Sequence, residues 1–221
     1  MASKRLALIQ TVASMVPVFD KLCDELMPGV ERFHIVDEPM LRGLLDGKPV
    51  EDACWRVVDY CQAAERGQAN AVLCCCTSIS SCVELARQGV KIPVMKVDEP
   101  MVDEALNHGC RIGLAATASS TLDPSTALVK QRAGVWGQQV EIDAVYCEGA
   151  YDALFKGNVK KHDHIVKGYL KEMAERNDVV LLAQPSMARV FDWQARVDWD
   201  VPILSAPMLA VKAARDLLKW V

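Results

Sequence analysis

The chain has few aromatic residues, 6% over 221 positions, and it has no run of about 18 apolar residues that would cross a bilayer as a helix. It also lacks a run of about five or six like charges, and its formal net charge is only −4, so neither a nucleic-acid arm nor an acidic tail is present. No GxGxxG and no GxxxxGK followed by Ser or Thr comes after any strand-like run, which argues against dinucleotide and nucleotide cofactors. Metal-ligating patterns are missing as well. Cys74, Cys75 and Cys76 are consecutive, and strand neighbours point to alternate faces, so the three cannot converge on one zinc. His162 and His164 lie two apart in a predicted helix, on different faces, and read as solvated. A secretory leader is not expected, because Gln10, Thr11 and Ser14 interrupt the short apolar run Leu6 to Ile9 behind Lys4 and Arg5. The nine cysteines, an odd number set mostly in apolar patterns, read as reduced thiols in a cytoplasmic protein.

What the chain does have is an ordinary globular composition, 51% hydrophobic and 24% charged, and a repeat. Arg5 to Thr11 lines up with Arg111 to Thr117 at an offset of 106. Phe33 to Val36 matches Ile142 to Val145, Val72 to Cys75 matches Leu181 to Gln184, and Ile92 to Met95 matches Val201 to Leu204, each at an offset of 109. Each half thus carries four short apolar runs of strand length, with helical segments between them such as Leu44 to Arg66 and His162 to Arg176. Alternating strand and helix predicts an α/β protein of two pseudo-symmetric lobes, each a four-stranded parallel sheet flanked by helices.

In open parallel sheets, ligands bind beyond the carboxyl ends of the strands. The polar residues there are Gln10 and Thr11; Cys75, Cys76, Thr77 and Ser78; Thr117, Ser120 and Thr121; and Gln184 with Pro185 and Ser186. Hydroxyls, amides and helix N-termini suit a small carboxylate or cyclic amide, although Ser and Thr at such places also cap helices. A thiol at the end of a buried strand and the start of a helix is a plausible base or nucleophile, and Cys75 is the best placed. Asp98 and Glu99 precede Pro100 and read as the capped start of a helix. The segment Ala206 to Leu218 reads as the last helix, and the tryptophans read as core or interface residues.

The run Val72-Leu73-Cys74-Cys75-Cys76-Thr77 resembles the strand-end motif of the aspartate/glutamate racemase superfamily, hydantoin racemases included, in which a catalytic cysteine is followed by Asn-Thr. Cys75 falls on that cysteine. Arg111 to Thr117 is similar to the family's segment ending in a substrate-binding threonine, and Ser120 falls on a second hydroxyl position. The resemblance spans the whole chain. It implies an active site between the lobes and a last helix that packs back on the first, giving lobes of residues 1–97 plus 208–221 and of residues 98–207. It also implies catalysis without cofactor by two cysteines, one per lobe. Here Leu181 to Ser186 takes the place of the family's Gly-Cys-Thr-His segment, which puts Gln184 where the second cysteine belongs. A carboxamide has no useful acid or base form near neutrality, so two-thiol racemisation does not apply directly.

Three readings follow. The first is a cofactor-independent racemase or isomerase acting next to a carboxylate or amide of an amino-acid-like or hydantoin-like substrate, with Cys75 as base and acid. The second is a one-base decarboxylase or lyase, in which Cys75 protonates a carbanion. The third is a protein that binds a small acid without reacting. No nucleic-acid or membrane partner is expected, and a homo-oligomer is left open.

Overall fold

A computed structural model describes residues 4–118, 121–190 and 199–219. By internal contacts the chain divides into two units, Met1–Pro100 with Pro207–Val221, and Met101–Ala206. The first unit holds β1 (Arg5–Gln10), α1 (Val16–Leu26), β2 (Glu31–Val36), α2 (Glu38–Leu45), α3 (Val50–Arg66), β3 (Ala71–Cys74), α4 (Val83–Gly89) and β4 (Val94–Lys96). The second holds α5 (Glu99–Leu106), which begins just before the division, then β5 (Arg111–Ala116), α6 (Leu122–Val135), β6 (Glu141–Tyr146), α7 (Ala150–Phe155), α8 (Val159–Ala174), β7 (Val179–Leu182) and β8 (Ile203–Ser205). The last helix, α9 (Ala206–Leu218), falls almost wholly in the first unit.

Both sheets are parallel throughout, in the orders β2-β1-β3-β4 and β6-β5-β7-β8. The central strands β3 and β7 are buried along their whole length, because helices cover both faces of a parallel sheet. β2 and β6 lie at the sheet edges and are only partly covered. The predicted helix Leu44 to Arg66 is two helices. Pro49 precedes α3 and Gly47, at φ 84°, turns the chain between them.

The register corrects the repeat. Arg5 pairs with Glu31 and Arg111 with Glu141, so β2 and β6 correspond at an offset of 110. Leu6 pairs with Ala71 and Ile112 with Val179, so β3 and β7 correspond at 108. Only β4 and β8 keep 109, Val72 pairing with Val94 and Val180 with Ile203. Backbone pairing fixes position where side-chain type does not, and both runs at β3 and β7 are apolar enough to slide by one residue in a sequence comparison. By register, Cys75 corresponds to Ala183 and Cys76 to Gln184. The Cys75 amide donates to the Ile9 carbonyl and the Ala183 amide to that of Ala115, both at 2.9 Å.

The start of β5 is anchored by Asp178, whose carboxylate accepts from the Cys110 and Arg111 amides at 3.0 and 2.9 Å and pairs with the Arg111 guanidinium. Gly109 lies against it. A Cβ there would stand 2.5 Å from Oδ2 and 2.7 Å from Cγ of Asp178. Gly109→Ala is therefore expected to cost about 2–3 kcal/mol through loss of this anchor, read as a lower urea midpoint.

Two expectations fail at the level of side chains. His162 is buried, 1% exposed, with its ring against Asp163 at 2.7 Å, while His164 is solvated as expected. The cysteines are not all free thiols: Cys54 of α3 and Cys82 form a disulfide, their Cα atoms 4.5 Å apart. A sequence separation of 28 hides that proximity, which packing of α3 on the segment after β3 creates. Among the described residues no helix is long and apolar enough to cross a membrane.

Candidate functional site

Beyond the ends of β1 and β3, the first unit gathers Gln10, Thr11, Cys75, Cys76, Thr77 and Ser78. The three cysteines diverge, as strand geometry requires. Cys74 packs with Cys61 of α3 in the core, and burial pushes its thiol well above the ordinary range. Cys75 is 3% exposed, lies near Cys23 of α1, and its thiol donates to the Leu73 carbonyl at 3.5 Å. Burial and the neighbouring thiols push it well above the ordinary range.

Cys76 is different. It is partly exposed, and it opens the 3-10 segment Thr77–Cys82. Burial raises its thiol overall, while the neighbouring Thr11 hydroxyl, the amide and hydroxyl of Ser78 and the Ile79 amide pull the other way. The buried Thr11 hydroxyl has no hydrogen-bond partner among the described residues. The same holds for the hydroxyl of Thr77, which is 3% exposed. Two buried hydroxyls without acceptors beside one thiol are unusual, since such groups normally find partners, and they suit an anionic ligand or an ionised sulfur.

Gln10, 1% exposed, reaches His34 Nδ1 of β2 at 3.5 Å, and the other ring nitrogen faces Asp20 of α1 at 3.3 Å. Asp98, just past β4, was missed as a member of this group. Its carboxylate is 3% exposed and lies directly before α5, which starts at Glu99. Its oxygens lie 3.0 and 2.9 Å from the Ser80 hydroxyl, which donates to them. Burial raises the Asp98 carboxyl to about 6, against the pull of Ser80, its own amide and Lys96, with Glu99 adding to the rise and Cys74 nearby. A carboxyl whose folded pKa exceeds its unfolded one contributes stability that is complete below about pH 4 and lost as pH rises through about 6. The loss from this group is about 2–3 kcal/mol. Asp98→Asn is expected to flatten that part of the pH–stability curve, measured by urea unfolding between about pH 4 and 7.

The second unit repeats the arrangement with different groups. Gln184 Oε1 accepts from the Thr117 amide at 2.7 Å, the Thr117 hydroxyl at 3.0 Å and the Ala118 amide at 3.4 Å. Thr117 corresponds to Thr11 and Gln184 to Cys76, so one threonine serves an amide oxygen where the other faces a thiol. Pro185 is buried and Ser186 partly exposed, as Thr77 and Ser78 are in the first unit. Thr121 is occupied locally, its hydroxyl donating to the Ala118 carbonyl at 2.7 Å, and Ser120 lies outside the described residues.

A family model described as Asp/Glu/Hydantoin racemase matches residues 8–214. Among solved structures, the fold is similar to glutamate racemase from Bacillus anthracis, at TM-score 0.74 and 14% identity over 98% of this chain and 82% of that one. It is similar to allantoin racemase from Klebsiella pneumoniae, at 0.69 and 18% over 98% and 88%, and to a variant of arylmalonate decarboxylase, at 0.63 and 16% over 97% and 92%. No curated protein matches the sequence.

Proposed function

We propose that this chain, which belongs to the Asp/Glu/hydantoin racemase family, is a cofactor-independent isomerase that moves a proton at a carbon next to a carboxylate or cyclic amide of a small acid. In this reading Cys76, rather than Cys75, is the base. The observation that carries this reading is the partial exposure of Cys76 at the strand end, next to the unpartnered Thr77 hydroxyl, against a buried Cys75 thiol turned to the Leu73 carbonyl. The Cys76 thiolate removes the proton next to the carbonyl, the C–H pair staying on carbon as an enolate. The neutral thiol can then return it. The unpartnered Thr11 and Thr77 hydroxyls supply hydrogen bonds to the substrate's carboxylate or to the developing negative charge.

Gln184 bears on which reaction is run. It neither gives nor takes a proton, and its oxygen is already committed to Thr117 and Ala118. In an isomerisation, the second proton carrier is then water or a group other than a thiol. The same observation favours a second reading, a lyase in which loss of carbon dioxide makes the carbanion and Cys76 alone protonates it. The test is a panel of chiral amino-acid-like acids, hydantoins and substituted malonates in deuterium oxide. Deuterium at the α-carbon with loss of optical activity supports the isomerase. Carbon dioxide release with one-sided protonation supports the lyase. Tight binding of an acid with neither outcome would leave a binding protein.

A further inference from the structure

The segment that follows Cys76 is itself held from β4. Ser78 and Ile79 lie in the 3-10 segment Thr77–Cys82, and a 3-10 segment of six residues has too few internal hydrogen bonds to fix its own position. Ser80, the next residue, is buried and spans two partners. Its hydroxyl lies 3.5 Å from the Cys76 carbonyl and within 3.0 Å of both Asp98 oxygens. β4 in turn is locked to β3, since the Val97 amide donates to the Cys74 carbonyl at 3.0 Å. We propose that Asp98 is a positioning residue: by holding Ser80, whose hydroxyl also reaches the Cys76 carbonyl, it fixes the segment Thr77–Cys82 against the Cys76 backbone and so sets the surroundings of the Cys76 sulfur. This rests on Cys76 being the reacting thiol. Asp98 acts through Ser80.

The test is the alkylation rate of Cys76 by iodoacetamide as a function of pH, located by tandem mass spectrometry in a Cys110→Ser background that removes the exposed thiol. Thiolate is the reacting form, so the rate reports what the donors do to Cys76. Asp98→Ala and Ser80→Ala are each expected to slow alkylation at pH 8 about tenfold and to move its midpoint up by about one unit. Asp98→Asn, which still accepts from Ser80, is expected to stay within about twofold of the parent. Parent-like alkylation in both alanine variants would overturn the proposal, as would equal slowing in Asp98→Asn. If Asp98→Ala fails to fold, Ser80→Ala carries the same comparison. Retained turnover in Cys76→Ala would sink the proposed function, whereas the alkylation profile still decides the positioning role.

Discussion

Cys76→Ala is expected to abolish turnover, by about a thousandfold or more, while Cys75→Ala stays within about tenfold of the parent enzyme. A thousandfold loss corresponds to about 4 kcal/mol of transition-state stabilisation, the scale of removing the only general base. Cys75→Ala removes one sulfur from a buried position and leaves the donors around Cys76 in place, so its cost falls on stability, at about 1–2 kcal/mol. Cys76→Ser separates the two effects further. It keeps the shape of the side chain, yet an alcohol is far too weak an acid to supply the base. The measurement is solvent deuterium exchange into whichever acid the panel identifies. A Cys75→Ala enzyme that is dead, beside a Cys76→Ala enzyme that works, would return the reaction to the residue that the family motif marks.

Reduction of the Cys54–Cys82 disulfide is expected to destabilise the first unit by about 3 kcal/mol, through the freedom that a loop of 28 residues regains in the unfolded chain. The seven free cysteines of the oxidised chain should rise to nine on treatment with a phosphine. The double variant Cys54→Ala, Cys82→Ala should unfold at the urea midpoint of the reduced parent and show no further response to reductant. Nine titratable thiols before any reduction would mean that the pair is open in solution. The bond closes the far end of the segment whose near end carries Cys76, so the same preparations also show whether alkylation of Cys76 depends on it.

The repeat, the parallel sheets and the strand ends were legible because apolar runs, helical periods and Arg starts are written in residue type. The register was not. Apolar strands such as Val179–Leu182 look alike when shifted by one residue, and only the amide-to-carbonyl bonds of Cys75 and Ala183 fix which residue stands at which place. That single step gave Gln184 its counterpart, Cys76, and underlies the proposal that Cys76 is the reactive thiol. Asp98 was read as a helix cap because Pro100 follows. Its long-range bond to Ser80, 18 residues back, leaves no local signal. Cys54 and Cys82 were hidden for the same reason.

The two threonines that begin the strand-end clusters make the chain its own control experiment. Thr117 has a permanent acceptor, an amide oxygen whose partial charge never changes. Thr11 lies beside a thiol, and its buried hydroxyl has no hydrogen-bond partner among the described residues. The first half is therefore short of one acceptor, a place that a bound anion would fill. The second half shows the same scaffold with that place filled from within, by the Gln184 oxygen.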